Sequence, residues 1–334
     1  MAPPGGSGGG GSGEDDKDAK HVLDEFGQQV YEEIVKSEAK NYIDDLKGSL
    51  SLASTNSELN YTNDPCKLIK EKRDKLLGTN SNRYPCGTRR EDVNRFSDTQ
   101  GAECATSKIK DSKNYCGACA PFRRLHLCNK NMENMDTNKD SKAKDNLLLE
   151  VCMAAYYEGD SIKTPYTKHK ETNGDSASEL CTVLARSFAD IGDIVRGRDL
   201  YSGNDEEKKQ RKKLQQNLKN IFENIYKELK KKDRKNGEEE LKRRYKKDED
   251  GNYYQLREDW WTANRRQVWK AITCSAAGGN NYFRQTACNG GSPTKGYCRC
   301  NGDQPNDHKA NIDPPTYFDY VPQFLRWFEE WAED

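Results

Sequence analysis

Closely spaced cysteines are the residues of this 334-residue chain with the clearest potential for chemistry. Cys116 and Cys119 have the CxxC spacing of a redox motif, and together with His126 and Cys128 they could surround a zinc ion. A thioredoxin-like site needs a strand before it and a helix that begins at the first cysteine, and nothing upstream predicts a βαβ unit. Because the other nine cysteines lack metal-binding spacing, the sequence favours disulfide bonds, and a zinc or thiol-active protein is kept as an alternative.

Twelve cysteines are spread through the chain except at its two ends. This usage predicts disulfide bonds formed in an oxidising compartment, each worth about 2–4 kcal/mol. The alternative is a cytosolic protein in which several are free buried thiols. The sequence does not fix the pairing, although Cys152 and Cys181 both fall on inward faces of predicted helices and suggest a bond between them. The cysteines expected in disulfides are Cys66, Cys86, Cys104, Cys116, Cys119, Cys128, Cys152, Cys181, Cys274, Cys288, Cys298 and Cys300.

Signatures of catalysis are missing from the sequence. It contains no G-x-S-x-G, no H-E-x-x-H, no P-loop and no dinucleotide-binding fingerprint. Its four histidines are scattered and form no cluster along the chain. We therefore expect no enzyme activity and no cofactor.

Charge is unevenly distributed although the formal net charge of the chain is zero. Residues 206–247 hold 17 basic and 8 acidic residues, which could line an anionic polymer. The simpler interpretation is a solvated helix face with pairs such as Glu223 and Lys227. Nucleic acid is disfavoured because the cysteines indicate an extracytosolic compartment, which suits a sulfated glycosaminoglycan better. The candidate glycan-binding residues are Lys208, Lys209, Arg211, Lys212, Lys213, Lys230, Lys231, Lys232, Lys242, Arg243 and Arg244.

The elements that must position the cysteines and the basic candidate residues are predicted to be mostly helices. Trp260 to Cys274 carries three of the five tryptophans, and its apolar residues recur on one stripe, which predicts a core helix. Residues 59–145 are rich in Asn, Asp, Gly, Pro and Ser and predict a loop-rich unit. Further helices are predicted at 66–77, from 144 to a stop at Gly159, from Asp175 or Ser178 through Ile191, and at 205–232, 238–247 and 324–331.

The N-terminus begins as a flexible glycine- and serine-rich segment with no apolar signal-peptide region. No run of 18 apolar residues follows, so we expect either a piece of a longer protein anchored downstream or a leader replaced by a linker. An amphipathic helix from about His21 to Ala39 is predicted to pack through Leu23, Phe26, Val30 and Ile34. This acidic segment could also fold across the basic helices and mask them.

Four stretches in order resemble the alpha-class Duffy-binding-like domain of the malaria parasite's variant erythrocyte membrane adhesins. The segment that begins GEDDKDAKHVLDEFGQQV resembles the block that precedes this domain in the same family. The resemblance covers residues 14–334, and four ordered motifs are far more specific than one. The motifs are CGACAPFRRLHLC (116–128), SFADIGDIVRG (187–197), EDWWTANRRQVWKAITC (258–274) and YVPQFLRWFEEW (320–331).

The resemblance implies an all-α, disulfide-stapled Duffy-binding-like fold. It divides the chain into an N-terminal segment (1–58, with 1–18 disordered), a loop-rich first subdomain (59–145) and a helical-bundle second subdomain (146–334). A third subdomain is expected to be absent, since the chain stops at the aromatic helix where it would begin.

Individual residues can be carried over from the motifs. Cys116, Cys119 and Cys128 match motif cysteines expected in bridges. Arg123 and Arg124 match an arginine pair that we expect to form partly buried ion pairs between the first two subdomains. Asp190, Asp193 and Arg196 match the second motif and are expected to be structural.

The function that the resemblance implies is adhesion to host cell-surface receptors, with antigenic variation. The implied partners are heparan sulfate, blood-group sugars or a complement receptor, and the implied location is the outer surface of an infected erythrocyte, anchored by a downstream membrane segment. The alternative is a scaffold domain that presents a neighbouring receptor-binding module. Neither nucleic acid nor a cofactor is expected.

Overall fold

The structure is a computed structural model that describes most of the chain in separate ranges. Side chains are described throughout these ranges except at 164–173, 232, 238–240 and 333. The ranges are 18–36, 41–53, 62–78, 83–87, 102–110, 118–137, 142–173, 179–232, 238–245, 251–288, 291–305 and 313–333.

These ranges are mostly helical, which confirms the all-α prediction; β-structure in them is limited to isolated bridges such as Glu103 with Ala120. The first helix continues through a π-helical turn, Tyr31–Val35. The α-helices are α1 (Ala19–Val30), α2 (Ile43–Leu46), α3 (Pro65–Leu77), α4 (Phe122–Leu125), α5 (Lys130–Glu133), α6 (Ala143–Asn173), α7 (Glu179–Arg196), α8 (Asp205–Lys232), α9 (Glu238–Arg244), α10 (Tyr254–Ile272) and α11 (Gln323–Glu333).

Helix α10 is the centre of the core, as its tryptophans predicted. Trp260, Trp261 and Trp269 are all buried, and α10 packs against α2, α3, α6 and α7. Phe188 on α7 contacts two of these rings, with centroids 5.1 Å from Trp261 and 5.2 Å from Trp269. Rings of this size bury a large apolar area, so α10 organises a chain that is otherwise strongly polar.

Helix α6 does not stop at Gly159, and the prediction of a helix end there is wrong. The helix runs on to Asn173, and Gly159 lies where α6 crosses the C-terminal end of α10. A β-carbon at this position would overlap the carbonyl oxygen of Ile272. Glycine is needed here because two backbones come close together, not because a helix needs a cap.

Helix α1 packs only partly as its apolar pattern predicted, because Leu23 and Val30 pack against the core whereas Phe26 and Ile34 do not. Phe26 and Ile34 remain 45% and 53% exposed, whereas Asp24 and Gly27 are buried. The Asp24 carboxylate accepts hydrogen bonds from the Tyr317 amide (2.7 Å) and from Arg284 Nε (2.9 Å). These donors orient the helix because a buried carboxylate must be fully hydrogen-bonded.

The N-terminal segment shares its core with the rest of the molecule. Leu46 and Leu50 are buried and belong to one apolar cluster together with the central tryptophans. Asn264 on α10 accepts from the Gly48 amide (2.7 Å) and donates to the carbonyl of Leu46 (3.1 Å). In the described part of this segment, α1 packs against residues 318–320 and α11, and α2 packs on α10, rather than across the basic residues of α8 as a masking segment would.

The arginine pair of the first motif forms the buried ion pairs that were expected. Arg123 donates to Asp190 (2.7 Å) and to Glu330 (2.8 Å), and Arg124 donates to Asp199 (2.5 Å). All of these side chains are buried. They join the loop-rich region to α7 and α11. Removing one partner of such a buried pair strongly destabilises a protein, because it leaves the other charge without compensation.

Ten of the eleven cysteines in the described ranges form five disulfide bonds. They are Cys66–Cys274, Cys86–Cys128, Cys104–Cys119, Cys181–Cys298 and Cys288–Cys300.

The predicted bond between Cys152 and Cys181 is wrong, because Cys181 is bonded to Cys298 and Cys152 is a buried free thiol. Both cysteines do face the core as the helical pattern predicted, but an inward direction on two helices does not bring two sulfur atoms within bonding geometry. The prediction for Cys116 lies outside the described residues.

Cys152 is expected to resist alkylation in the folded protein. Burial raises the pKa of its thiol well above the ordinary value, so both access and the thiolate fraction are low. Iodoacetamide treatment at pH 8–9 followed by peptide mass spectrometry should show the Cys152 peptide unmodified. The same peptide should be labelled fully in denaturant. Rapid labelling under native conditions would contradict the buried position.

Candidate functional site

The basic segment of the sequence is centred on α8, and α8 begins as a capping box. Asn204 accepts from the Glu207 amide (2.9 Å) through its side chain, and the Glu207 carboxylate accepts from the Asn204 amide (2.7 Å). This reciprocal arrangement satisfies two amides that the first turn leaves without partners. It explains why the helix starts at Asp205 as predicted.

One face of α8 is apolar and fixes the direction of the other. Leu214, Leu218, Phe222, Ile225 and Leu229 recur at spacings of three and four and are buried. The helix packs against α6, which turns the opposite, lysine-rich face outward.

The lysines in the first turns of α8 are the most accessible of the candidates. Lys209 is 77% exposed and lies 3.8 Å from Glu206, and Lys208 is 37% exposed and lies 3.3 Å from Asp205. Lys212 and Lys213 are exposed as well. Exposed pairs of this kind contribute little stability, so a polyanion can compete for these ammonium groups.

Arg211 belongs to the same turns but points into the protein. Its guanidinium lies 2.8 Å from the Asp199 carboxylate and 4.6 Å from the ring centroid of Tyr201. Burial, together with the nearby charge of Arg124, lowers the pKa of Arg211. This arginine holds α8 on the loop that follows α7, so its replacement would test folding as much as binding.

The candidates near the end of α8 lie far along the helix from the first group. Lys209 and Lys230 are 21 residues apart, which corresponds to about 32 Å along a helix. Lys231, Lys242 and Arg243 are exposed, whereas Arg244 is engaged by the Asp259 carboxylate at 2.7 Å. The side chain of Lys232 lies outside the described residues. Lys230 and Lys231 are therefore separate from the lysines in the first turns of α8.

Residues from α5 join the first group, and the sequence analysis missed them. Lys213 Nζ donates to Asn134 Oδ1 (2.9 Å), which brings the end of α5 beside α8. Glu133 lies in the field of Lys130, Arg211 and Lys213, yet burial raises the pKa of its carboxyl. No local pattern could reveal this neighbourhood because the residues are about 80 positions apart.

Zinc binding at the CxxC region is excluded by the disulfides for the residues that the structure describes. Cys119 is bonded to Cys104 and Cys128 to Cys86, so neither sulfur is a thiolate. Among the described ranges, no group of three or more His, Cys, Asp or Glu side chains could hold a metal ion. No helix within them is both long and apolar enough to cross a bilayer.

Two family models match the chain. The model of the Duffy binding domain matches residues 117–326, and the model of the N-terminal segments of PfEMP1 matches residues 18–54. Curated relatives include the Duffy receptor beta form of Plasmodium knowlesi, which is 23% identical over 248 residues that cover 71% of this chain. The chain spans only 15% of the length of that relative.

Solved structures with the same fold include an NTS-DBL1(alpha-1) domain of Plasmodium falciparum PfEMP1 from the varO strain. It is 37% identical with a TM-score of 0.66, over 95% of this chain and 61% of that one. A PfEMP1 DBLbeta domain bound to ICAM-1 is 28% identical with a TM-score of 0.66, over 93% of this chain and 66% of the other. By its matched motifs, its helices and these relatives, the chain belongs to the Duffy binding domain family and carries a PfEMP1-type N-terminal segment ahead of that domain.

Proposed function

We propose that this chain is an adhesion domain that binds a host cell-surface receptor through the exposed lysines at the start of α8. Family members that bind such receptors support the proposal: one PfEMP1 domain is solved bound to ICAM-1, and the curated relatives are Duffy receptors. The observation that carries it is the concentration of accessible ammonium groups at Lys209, Lys212 and Lys213 on a chain of zero net charge.

The ligand class that fits this surface best is a sulfated glycosaminoglycan such as heparan sulfate. Flexible, hydrated ammonium groups act as point charges for sulfate and carboxylate, and their summed field steers a polyanion toward the protein. Neutral blood-group sugars lack the dense charge that this surface matches. A location on the outer surface of the infected erythrocyte and a role in rosetting with antigenic variation belong to the same proposal.

Heparin chromatography across a salt gradient tests the proposal. The variant Lys209→Glu/Lys212→Glu/Lys213→Glu reverses the three accessible charges and leaves Arg211 in its buried ion pair. We expect the wild type to elute above about 0.15 M NaCl and the variant to elute with the unbound fraction, because exposed charges act through a screened field. The matched control Lys67→Glu/Lys70→Glu/Lys163→Glu makes the same change in net charge at exposed positions outside α8.

The control separates a local surface from a general charge effect. If both triple variants lose heparin retention equally, retention depends on net charge, and the proposed role of α8 is wrong. Absence of salt-dependent retention in the wild type would favour the alternative function, a scaffold that presents a neighbouring module. Circular dichroism of each variant confirms that the helices are intact.

A further inference from the structure

The disulfide between Cys104 and Cys119 differs from the others in its exposure to solvent. Cys104 is exposed and Cys119 is half-buried. Each of the other four bonds in the described ranges has at least one buried cysteine. These buried cysteines are Cys66, Cys128, Cys181, Cys298, Cys288 and Cys300. Because a thiolate must reach a sulfur atom to break a disulfide, the exposed bond is the one that a reductant in solution reaches first.

This bond holds the start of a short loop, residues 102–110. Next to it, Glu103 and Ala120 exchange two backbone hydrogen bonds of 3.0 and 2.9 Å. The Glu103 carboxylate also accepts from Lys108 Nζ (2.5 Å), and both of these side chains are partly exposed. Exposed pairs of this kind contribute little stability. The covalent bond is therefore the strongest restraint on this end of the loop.

The far end of the same loop pairs with the segment that precedes α8. The Lys110 amide donates to the carbonyl of Leu200 (2.7 Å), and the Ser202 amide donates to the carbonyl of Lys108 (2.7 Å). This segment leads directly into Asn204, whose side chain caps α8. The loop thus connects the exposed disulfide to the start of α8.

We propose that the Cys104–Cys119 bond is a thiol-exchange site, which a dithiol reductant opens while the other four bonds stay closed. One thiolate of the reductant attacks the exposed Cys104 sulfur, forms a mixed disulfide and releases Cys119 as a thiolate. The second thiolate of the reductant then attacks its own sulfur in the mixed disulfide and releases Cys104. The reductant loses two electrons and becomes a disulfide, and the two cysteines take up the protons that its thiols gave up.

Opening this bond is expected to loosen the loop without unfolding the domain. Ile109 is 4% exposed and belongs to a small apolar cluster with Tyr201 and Trp327. This cluster does not depend on the disulfide, so it keeps the loop near the segment before α8. Local opening of the backbone pairs between them should nevertheless become more frequent, because the covalent restraint on the loop is lost.

Differential alkylation of the whole chain tests whether the bond is the exchange site. The protein is treated with dithiothreitol at mildly alkaline pH without denaturant, its thiols are trapped with N-ethylmaleimide at successive times, and its peptides are analysed by mass spectrometry. We expect label on Cys104 at least about tenfold faster than on Cys181 and Cys298, because buried sulfur atoms become accessible only through local unfolding. The label is read on Cys104 because Cys116 shares a tryptic peptide with Cys119.

Hydrogen exchange tests the effect of the opened bond on the loop. The amides of Lys110 and Ser202 should exchange about threefold to tenfold faster after reduction. The variant Cys104→Ser/Cys119→Ser should show the same fast exchange with and without dithiothreitol. The amide of Trp269 inside α10 is the matched control and should exchange at the same rate in every sample.

Three outcomes would overturn the inference. Label on Cys104 that appears no faster than on Cys181 would show that the exposed bond is not preferred. Label on Cys104 without reductant would show that this cysteine is not bonded in the protein. Unchanged exchange at Lys110 and Ser202 after reduction would show that the bond does not restrain the loop. None of these measurements uses heparin, so they remain decisive even if the function proposed for α8 is wrong.

Discussion

Replacing Asp190 by alanine is expected to lower the free energy of unfolding by about 3–5 kcal/mol, the usual cost of removing one partner from a buried ion pair. Asp190 is fully buried on α7 and accepts from Arg123 (2.7 Å) and Arg326 (2.8 Å). Gln323 also donates to it (2.9 Å). Removing the carboxylate leaves two buried guanidinium groups with less compensation. Urea unfolding under non-reducing conditions measures the loss.

The pH range of this effect follows from the ionisation of Asp190. Burial opposes the charged form, but Arg123 and Arg326 outweigh it and hold the pKa of the carboxyl well below its ordinary value. A depressed pKa contributes stability that is fully present above the unfolded-state pKa of about 3.9 and lost as pH falls through the folded-state value. The difference between wild type and variant should therefore be constant from about pH 5 to 8.

The matched control is Asp205→Ala at the start of α8. Its side chain is 95% exposed and pairs with the partly exposed Lys208, so a change below about 1 kcal/mol is expected. Similar losses for the two variants would show that Asp190 is not the centre of a buried network.

Replacing Gly159 by alanine is expected to destabilise the protein by about 1–3 kcal/mol or more, although alanine is the better helix former. The added β-carbon would overlap the carbonyl oxygen of Ile272, which is backbone and cannot rotate away. At a helix position with free space the same change would stabilise by about 0.5–1 kcal/mol. A decrease in the free energy of unfolding therefore indicates that α6 and α10 approach closely at Gly159, whereas an increase indicates free space there.

Gly192→Ala on α7 is the matched control for this prediction. A β-carbon there would lie 2.8 Å from the Trp261 ring. We expect a smaller loss than for Gly159, because the added atom would overlap this side chain less than it would overlap the Ile272 carbonyl oxygen. A stabilising effect at Gly159 would contradict the observed crossing of the helices.

Helix positions and the identity of the core were predictable from the sequence. The bounds of α8 were predicted at 205–232 and observed at Asp205–Lys232, because its capping residues and its apolar spacing are local signals. The tryptophans of α10 were predicted to be buried for the same reason. The sequence motifs were also sufficient to indicate the family.

Contacts between distant segments were decided only by the tertiary structure. The sequence marks Gly159 as a helix breaker, and only the crossing with Ile272 makes it a close-packing residue inside α6. It marks Leu23, Phe26, Val30 and Ile34 as one buried stripe, and only the packing around Asp24 leaves Phe26 and Ile34 exposed while Leu23 and Val30 are covered.

The same limit applies to the disulfides and to the sites. An inward-facing cysteine has many possible partners, and Cys181 bonds to Cys298 from a loop 117 positions away. Lys213 and Asn134 carry no common pattern along the chain, yet α8 and the end of α5 bring them together. Periodicity determined which residues of this protein form helices and which face inward. Which residues meet was decided by long-range packing, because contacts across large sequence separations depend on the mutual placement of whole elements.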